Sequence, residues 1–465
     1  VTRVIRQNIS WELDPDFAPL LDAVLAAPGR VVKESRAKLV TEHHAAGRGF
    51  FIKRYRHAAV PLRPLKFFFK PSQARQEWSL AKKVAGRGIP IVRHVAVGHR
   101  WSLTGLHESV LITERFEGLP ANEANGVDLC ELTRFVERMA WAGVVQEDLH
   151  PANLLVRSHP FEIRLVDLHG TRLFETNSGL ERAPAEERML ALLRMSLPIE
   201  VPAPIELLAR TLRKEALQKR ARRCLKVNRD FSVHRAGGLT WHVRTESAAR
   251  AGRIMADPDR FIEGARPLKL GRSATVAAGD GLVLKRYNFK KPLNALKDLF
   301  RGSRAHRGFV KGHHLELCGI ATARLLASAD RRVLGLPVRS YLLMEEVRGA
   351  TDAAHWMGDA RAGARAIGAL LARLHNDGFV HRDLKETNIL FDTTGIPHLI
   401  DLDGLNFVFH VTPDDAVANL ERFAAGMAGH GRISRPNVIA FLLSYCRRRG
   451  LRPRQLFARG TSSRE

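Results

Sequence analysis

Apolar and polar positions along the chain fall into a pattern that occurs twice. Strand-type apolar runs stand at 50–55, Phe50-Phe51-Ile52-Lys53-Arg54-Tyr55, and at 282–287, Leu282-Val283-Leu284-Lys285-Arg286-Tyr287, each ending in Lys-Arg-Tyr. Alternation at 238–244 predicts a further strand. Ile389-Leu390-Phe391 and His398-Leu399-Ile400 flank the turn-like Asp392-Thr393-Thr394-Gly395, which reads as a hairpin. Helical periodicity marks 185–194 and 205–212, with Pro198, Pro202 and Pro204 breaking the path, and again 415–427 and 437–448. No apolar stretch approaches the roughly 18 residues that suggest a membrane-spanning helix. Residues 1–14 have no apolar core of signal-peptide type. Any membrane contact is therefore expected to be peripheral.

The two strand-type runs open two series of matching segments. Basic, apolar stretches follow each, Pro61-Leu62-Arg63-Pro64-Leu65-Lys66-Phe67-Phe68-Phe69-Lys70 in the first half and residues 292–301 in the second. Ser72-Gln73-Ala74 then answers Ser303-Arg304-Ala305, and Gly88-Ile89-Pro90 answers Gly319-Ile320-Ala321. So many correspondences in one order indicate an internal duplication. The basic run 214–226 sets the expected boundary, giving domains 1–225 and 226–465.

The chemistry lies near the end of the second series, in His381-Arg382-Asp383-Leu384-Lys385-Glu386-Thr387-Asn388 followed by Ile400-Asp401-Leu402-Asp403-Gly404. Phosphoryl transfer from ATP requires a carboxylate beside the attacking hydroxyl, an amide oxygen on Mg²⁺, and a second carboxylate bridging metal and phosphates. Asp383, Asn388 and Asp401 have the kinase spacing for those roles. The first half repeats the five-residue step from Asp148 to Asn153 in Gln146-Glu147-Asp148-Leu149-His150-Pro151-Ala152-Asn153, with a third acid in Asp167-Leu168-His169-Gly170. The expected fold is α+β, two tandem protein-kinase-like bilobal domains, each with a strand-rich and a helical lobe. Pattern and spacing stop at "phosphotransferase". No Ala-Pro-Glu follows Asp401 and the path to the next helix is short, which favours a small or glycan acceptor over a peptide.

Taken together, these motifs resemble the lipopolysaccharide kinase family. The resemblance is carried by the Lys-Arg-Tyr strand end, the Ser-x-Ala block, the Gly-Ile turn, His-Arg-Asp-Leu-Lys-x-x-Asn-Ile-Leu and Ile-Asp-Leu-Asp-Gly. It implies ATP and Mg²⁺ as cofactors, a heptose or Kdo hydroxyl of the inner core as acceptor, and work at the cytoplasmic face of the inner membrane. By matching position, Lys285 contacts the ATP phosphates, Asp383 orients or deprotonates the acceptor hydroxyl, Lys385 neutralises charge at the γ-phosphate, and Asn388 and Asp401 hold Mg²⁺. The hinge is placed at 343–347 and a phosphate-covering loop at 269–275. In the first half Lys53, Asp148, Asn153 and Asp167 hold the corresponding positions.

Each half departs from the pattern. The helix glutamate that pairs with the strand lysine is Glu77 in the first half, but its counterpart is Gly308. Glu316 is the substitute expected for Lys285. The first half has Gln146-Glu147 where His-Arg is expected, and Glu147 should disturb the packing of the loop. Whether the first half is a second active site or a structural copy stays open. A protein Ser/Thr kinase and a pseudokinase scaffold that binds nucleotide or anionic glycolipid without turnover are the alternative readings.

Charge narrows the partners. With 74 Lys+Arg against 48 Asp+Glu the net charge is +26, so an anionic partner is expected. The family resemblance makes that partner a glycolipid or the inner-membrane surface, with no nucleic acid expected. Lys66-Phe67-Phe68-Phe69-Lys70 is read as a buried element flanked by solvated lysines rather than a segment dipping into a bilayer, since exposed apolar patches are rare. Cys130, Cys224, Cys318 and Cys446 are dispersed, with no zinc or disulfide pattern, which fits a reducing cytoplasmic setting. The pairs His43-His44 and His313-His314 lack ligand-spaced company, so no metal beyond nucleotide-bound Mg²⁺ is expected.

Overall fold

The computed structural model describes residues 2–57, 64–176, 179–288, 302–333, 336–430 and 433–457. The chain divides into two compact units, Val1–Leu212 and Arg213–Glu465.

The first unit opens with a seven-stranded antiparallel sheet in the order Thr2–Arg6, Ile9–Leu13, His94–Ser102, Gly105–Glu114, Arg48–Arg56, Lys38–Ala45, Gly29–Glu34. The second unit repeats that order with Phe231–Ala236, Leu239–Arg244, Leu325–Val333, Leu336–Glu345, Leu282–Tyr287, Ala274–Gly279 and Arg266–Leu270. Trp11 and Trp241 sit at matching places on the second strand of each, both fully buried. In both units an α-helix lies between the lysine strand and the returning pair, Gln73–Gly86 and Arg304–Leu317. Ser72 and Ser303 cap these helices, accepting from the backbone N–H groups of Arg75 and His306, which satisfies donors left open at a helix start.

Each sheet lobe has its own core, built on Trp11, Phe17, Phe50 and Ile112 in the first unit and on Trp241, Tyr341 and Leu343 in the second. The helical lobes have larger ones. Phe135, Met139, Leu154, Met189 and Leu193 centre the first, and Phe309, Leu371, Leu374, Phe379, Phe391, Leu399 and Tyr445 the second. The two expected strands around 389–400 pair antiparallel as Ile389–Phe391 with Pro397–Leu399, and Leu154–Ser158 pairs with Phe161–Leu165 in the first unit. The periodic segments near the end form helices Pro413–Ala428 and Arg435–Arg449.

The reading of 66–70 as buried is corrected. Residues Pro64–Phe68 form one short 3-10 turn in which Phe67 alone is buried, while Phe68 and Phe69 face solvent. The matching stretch 292–301 lies outside the described residues.

Candidate active site

In the second unit, the hairpin after the helix Ala360–Asn376 brings the polar residues together. Asn388 Nδ2 donates to the Asp383 carbonyl at 2.8 Å, turning its amide oxygen away from that carbonyl. The Ile400 N–H donates to the Asn388 carbonyl at 2.8 Å. Asp401 follows in the left-handed region, φ 51°, a conformation that non-glycine residues hold only when their surroundings impose it. His381 imposes it here. The Asp383 N–H donates to His381 Nδ1 at 3.3 Å, so the ring proton lies on Nε2, which donates to the Asp401 carbonyl at 3.0 Å. Burial holds His381 below its usual pKa, consistent with this neutral form.

Lys285, 9% exposed, reaches across from the sheet. Its Nζ lies 2.8 Å from Asp401 Oδ1 and 3.1 Å from Asp403 Oδ2. Asp403 also accepts from Arg304 at 2.7 Å and from the Tyr287 hydroxyl at 3.1 Å. Burial raises the Asp403 carboxyl, but Lys285 and Arg304 outweigh it and bring it below the ordinary value. Lys311 donates to the carbonyls of Leu402 and Asp403, and burial lowers its ammonium to about 8. On the open side, Lys385 Nζ is 2.9 Å from Asp383 Oδ1.

The expectation that Glu316 replaces the missing helix glutamate is therefore wrong. Glu316 pairs with Arg244 and His313, and the second acid of Asp-Leu-Asp takes the lysine instead. Gly308 makes the room: a Cβ there would stand 3.5 Å from the Tyr287 hydroxyl and 3.0 Å from Leu342 Cδ2. Asp403, Tyr287, Arg304 and Lys311 were not singled out from sequence. The available signal was the loss of a carboxylate at 308 in the half that carries an additional one at 403.

The first unit builds the same frame from other residues. Lys53, also 9% exposed, pairs with Glu77 Oε1 at 2.7 Å, and His94 Nε2 lies 3.4 Å from the same oxygen. Burial alone would raise the Glu77 carboxyl, but Lys53 and His94 bring it down to about 2. Burial and the Glu77 charge hold the Tyr55 hydroxyl above its ordinary pKa, so this tyrosine, like Tyr287, sits at the lysine's carboxylate partner. Asn153 Nδ2 donates to the Asp148 carbonyl at 3.1 Å, and Asp167 again has positive φ, 58°.

Gln146 does what His381 does. Its Nε2 donates to the Asp167 carbonyl at 3.0 Å and its Oε1 accepts from the Asp148 N–H at 3.4 Å. A carboxamide can present one donor and one acceptor in the places where a neutral imidazole presents its own. Nor does Glu147 disturb the loop. It forms a 2.6 Å ion pair with Arg172, on the strand residue whose counterpart, Asn406, accepts from Arg382 at 2.8 Å. The charge on one side is reversed and the partner is changed to suit.

The loop Gly271-Arg272-Ser273 joins the two strands that flank the expected phosphate-covering position, and the expected hinge 343–347 takes in the last residues of strand Leu336–Glu345 and the two that follow. Among the described residues no group of three or more His, Cys, Asp or Glu side chains is arranged to hold a metal by itself.

The model of the family described as "Lipopolysaccharide kinase (Kdo/WaaP) family" matches residues 22–183 and again 283–444, together more than half of the chain. The chain belongs to the lipopolysaccharide kinase (Kdo/WaaP) family. Both matched segments of this family member run from within a sheet lobe through the hairpin carrying the paired polar residues. A 3-deoxy-D-manno-octulosonic acid kinase of Xanthomonas axonopodis pv. citri (strain 306) is 44% identical over 71 residues, 15% of this chain and 28% of that protein. The corresponding kinase of Xanthomonas euvesicatoria pv. vesicatoria (strain 85-10) is 42% identical over the same shares. The chain thus spans little more than a quarter of the length of these curated relatives. Among solved structures, WaaP in complex with acyl carrier protein is similar at 21% identity and TM-score 0.31, over 42% of this chain and 85% of that one. WbdD follows at 17% identity and TM-score 0.29, over 40% of this chain and 45% of that one. The family assignment does not rest on these two.

Proposed function

We propose that the protein is an ATP- and Mg²⁺-dependent kinase that phosphorylates a hydroxyl of heptose or Kdo in the lipopolysaccharide inner core, and that the second unit, Arg213–Glu465, carries the transfer. The observation that supports this most is the Lys285, Asp401 and Asp403 cluster set against the Asp383–Lys385 pair, within a chain of this family. The partial match to Kdo kinases puts Kdo first.

Asn388 and Asp401 would hold Mg²⁺. Both offer oxygen, which this hard cation prefers, and the Asn388 amide is held with its oxygen clear of the Asp383 carbonyl. When bound, Mg²⁺ neutralises charge on the transferring phosphates. Lys285 binds the α- and β-phosphates, exchanging part of its contact with the two aspartates for phosphate oxygens. Asp383 accepts a hydrogen bond from the acceptor hydroxyl and takes its proton as the new oxygen–phosphorus bond forms and the bond from the γ-phosphorus to the bridging oxygen breaks, with ADP as the leaving group. Lys385, already beside Asp383, meets the charge that grows on the γ-phosphoryl oxygens. In the first unit Lys53, Glu77, Asn153 and Asp167 would form a nucleotide site, with Asp148 in the base position and His150 where the second unit has Lys385. We read it as a partly degenerate copy that binds nucleotide without the principal transfer.

Strand Leu405–Phe407 leads almost directly into helix Pro413–Ala428, which leaves little chain for docking a peptide and favours a glycan acceptor over a protein. No described helix is long and apolar enough to cross a membrane. From the acceptor that the family suggests, we place the enzyme as a peripheral protein on the cytoplasmic face of the inner membrane. The test is mass spectrometry of core oligosaccharide from cells with and without the gene. One phosphate fewer on the inner core in its absence is expected, and an unchanged phosphate count overturns the acceptor assignment.

A further inference from the structure

The sheet lobe of the first unit carries an apolar platform assembled from two separate segments. The turn Pro64–Phe68 sits against the tip of the hairpin formed by His94–Ser102 and Gly105–Glu114. The approach is close. Gly105 has φ 109°, and a Cβ there would come within 2.6 Å of the Pro64 carbonyl oxygen. Phe67 anchors the turn from below, with its ring 4.2 Å from that of His57, which in turn hydrogen-bonds Ser109 at 2.9 Å.

The anchored turn turns its other apolar side chains outward. Phe69 is 91% exposed, Phe68 55% and Leu65 46%; across from them on the hairpin tip, Trp101 is 48% exposed and Leu103 fully so. Phe68 and Trp101 touch, with ring centroids 5.4 Å apart, so the two segments form one surface. Residues 64–70 and 99–107 contain no Asp or Glu, and they supply Lys66, Lys70 and Arg100.

We propose that this platform inserts into the interfacial region of an anionic bilayer. Exposed Trp, Phe and Leu rimmed by lysine and arginine are the side chains that lie at the headgroup boundary, with the rings immersed and the cations on anionic lipid. A protein partner would meet the same apolar side chains, but Lys66 and Lys70 leave the rim net positive even with Arg100 paired to Glu108 at 3.0 Å, which favours a negatively charged sheet of headgroups. The inference does not depend on the sugar-kinase reading, because it is read out by binding rather than by transfer.

The experiment is sedimentation of the full chain with vesicles of phosphatidylethanolamine and phosphatidylglycerol, and with phosphatidylcholine vesicles as the neutral control. Binding to the anionic vesicles that weakens with added salt is expected, together with a blue shift of tryptophan emission that Trp101→Phe removes. The double variant Phe68→Ser/Phe69→Ser should lose about ten-fold in vesicle affinity and keep the thermal unfolding profile of the parent, since both side chains face solvent. Lys66→Glu/Lys70→Glu should lose affinity for anionic vesicles alone. Wild-type chain that stays in the supernatant, or a serine variant that binds as well as its parent, overturns the proposal. So does sedimentation velocity showing that the serine substitutions dissociate a dimer without changing vesicle binding, which would make the platform a contact between copies.

Discussion

The two halves of this protein answer one electrostatic problem in different ways. A lysine buried on a sheet strand must have a carboxylate beside it, because burial otherwise drives off its proton. In the first unit that carboxylate comes from the helix Gln73–Gly86, as Glu77. In the second the helix position is Gly308, and the carboxylates come from the loop, as Asp401 and Asp403. Tyr55 and Tyr287, at the same strand position, sit beside whichever acid is used. The frame around the lysine therefore persists while the source of its counter-charge moves from one element to another. The second unit places the lysine directly on the aspartate that follows the hairpin, whereas the first ties it to a helix.

The strongest way to break this comparison is to remove each lysine in turn. Lys285→Met should lower ATP-dependent phosphoryl transfer by about 100-fold or more, because under the proposed mechanism it deletes the cation that binds the phosphates. Lys53→Met should change it by less than about three-fold. Steady-state kinetics on the purified chain checks both, and equal losses would mean that the halves share the work.

Glu77→Gln comes next in size, and its readout is stability. It leaves Lys53 buried without its counter-charge, a loss of about 3 kcal/mol for the first unit. The pH dependence sharpens the result. Glu77 titrates at about 2 in the folded protein against an ordinary 4.5, so between those values the unfolded chain binds more protons. Its contribution is therefore complete above about pH 4.5 and fades as pH falls toward 2. Urea denaturation of the parent across that window should show stability rising with pH, and the Glu77→Gln chain should show a flatter profile.

A transplant tests whether the two solutions are interchangeable. Asp403→His, which installs the residue found at 169, should lower transfer by about ten-fold, and adding Gly308→Glu should recover most of the loss, an interaction expected of side chains that share a partner. Failure of the second change to help would mean that Asp403 acts on the reaction directly rather than through Lys285. The smallest effect is expected from Gln146→His, which restores the more usual residue. The hydrogen bonds it makes already match those of His381, so thermal unfolding should shift by less than about 1 kcal/mol equivalent.

Much of this was legible in the chain itself. The duplication, the lysine strands, the hairpin carrying Asn388 and the closeness of Asp401 to that hairpin follow from local patterns whose spacing is set by backbone geometry. Glu77 was legible as well, because its pairing depends on one helix facing one strand. Asp403, Tyr287 and Arg304 were not, since their contacts join residues 99 and 116 positions apart in the chain and depend on a side chain missing at 308. The pairing of Glu147 with Arg172 was hidden for a similar reason: a charge reversal looks disruptive until the strand opposite is known. Phe68 and Phe69 were misread because apolar sequence ordinarily means burial, and only the hairpin tip beneath Phe67 explains why its neighbours point outward.

The central claim is that transfer occurs in the second unit, at Asp383. It is tested most directly by single-turnover transfer from γ-labelled ATP to a purified Kdo-containing core glycolipid, comparing Asp383→Asn with Asp148→Asn. The account predicts that Asp383→Asn abolishes labelling of the glycolipid and that Asp148→Asn leaves it within a few-fold of the parent. Labelling that survives Asp383→Asn and disappears with Asp148→Asn would contradict it.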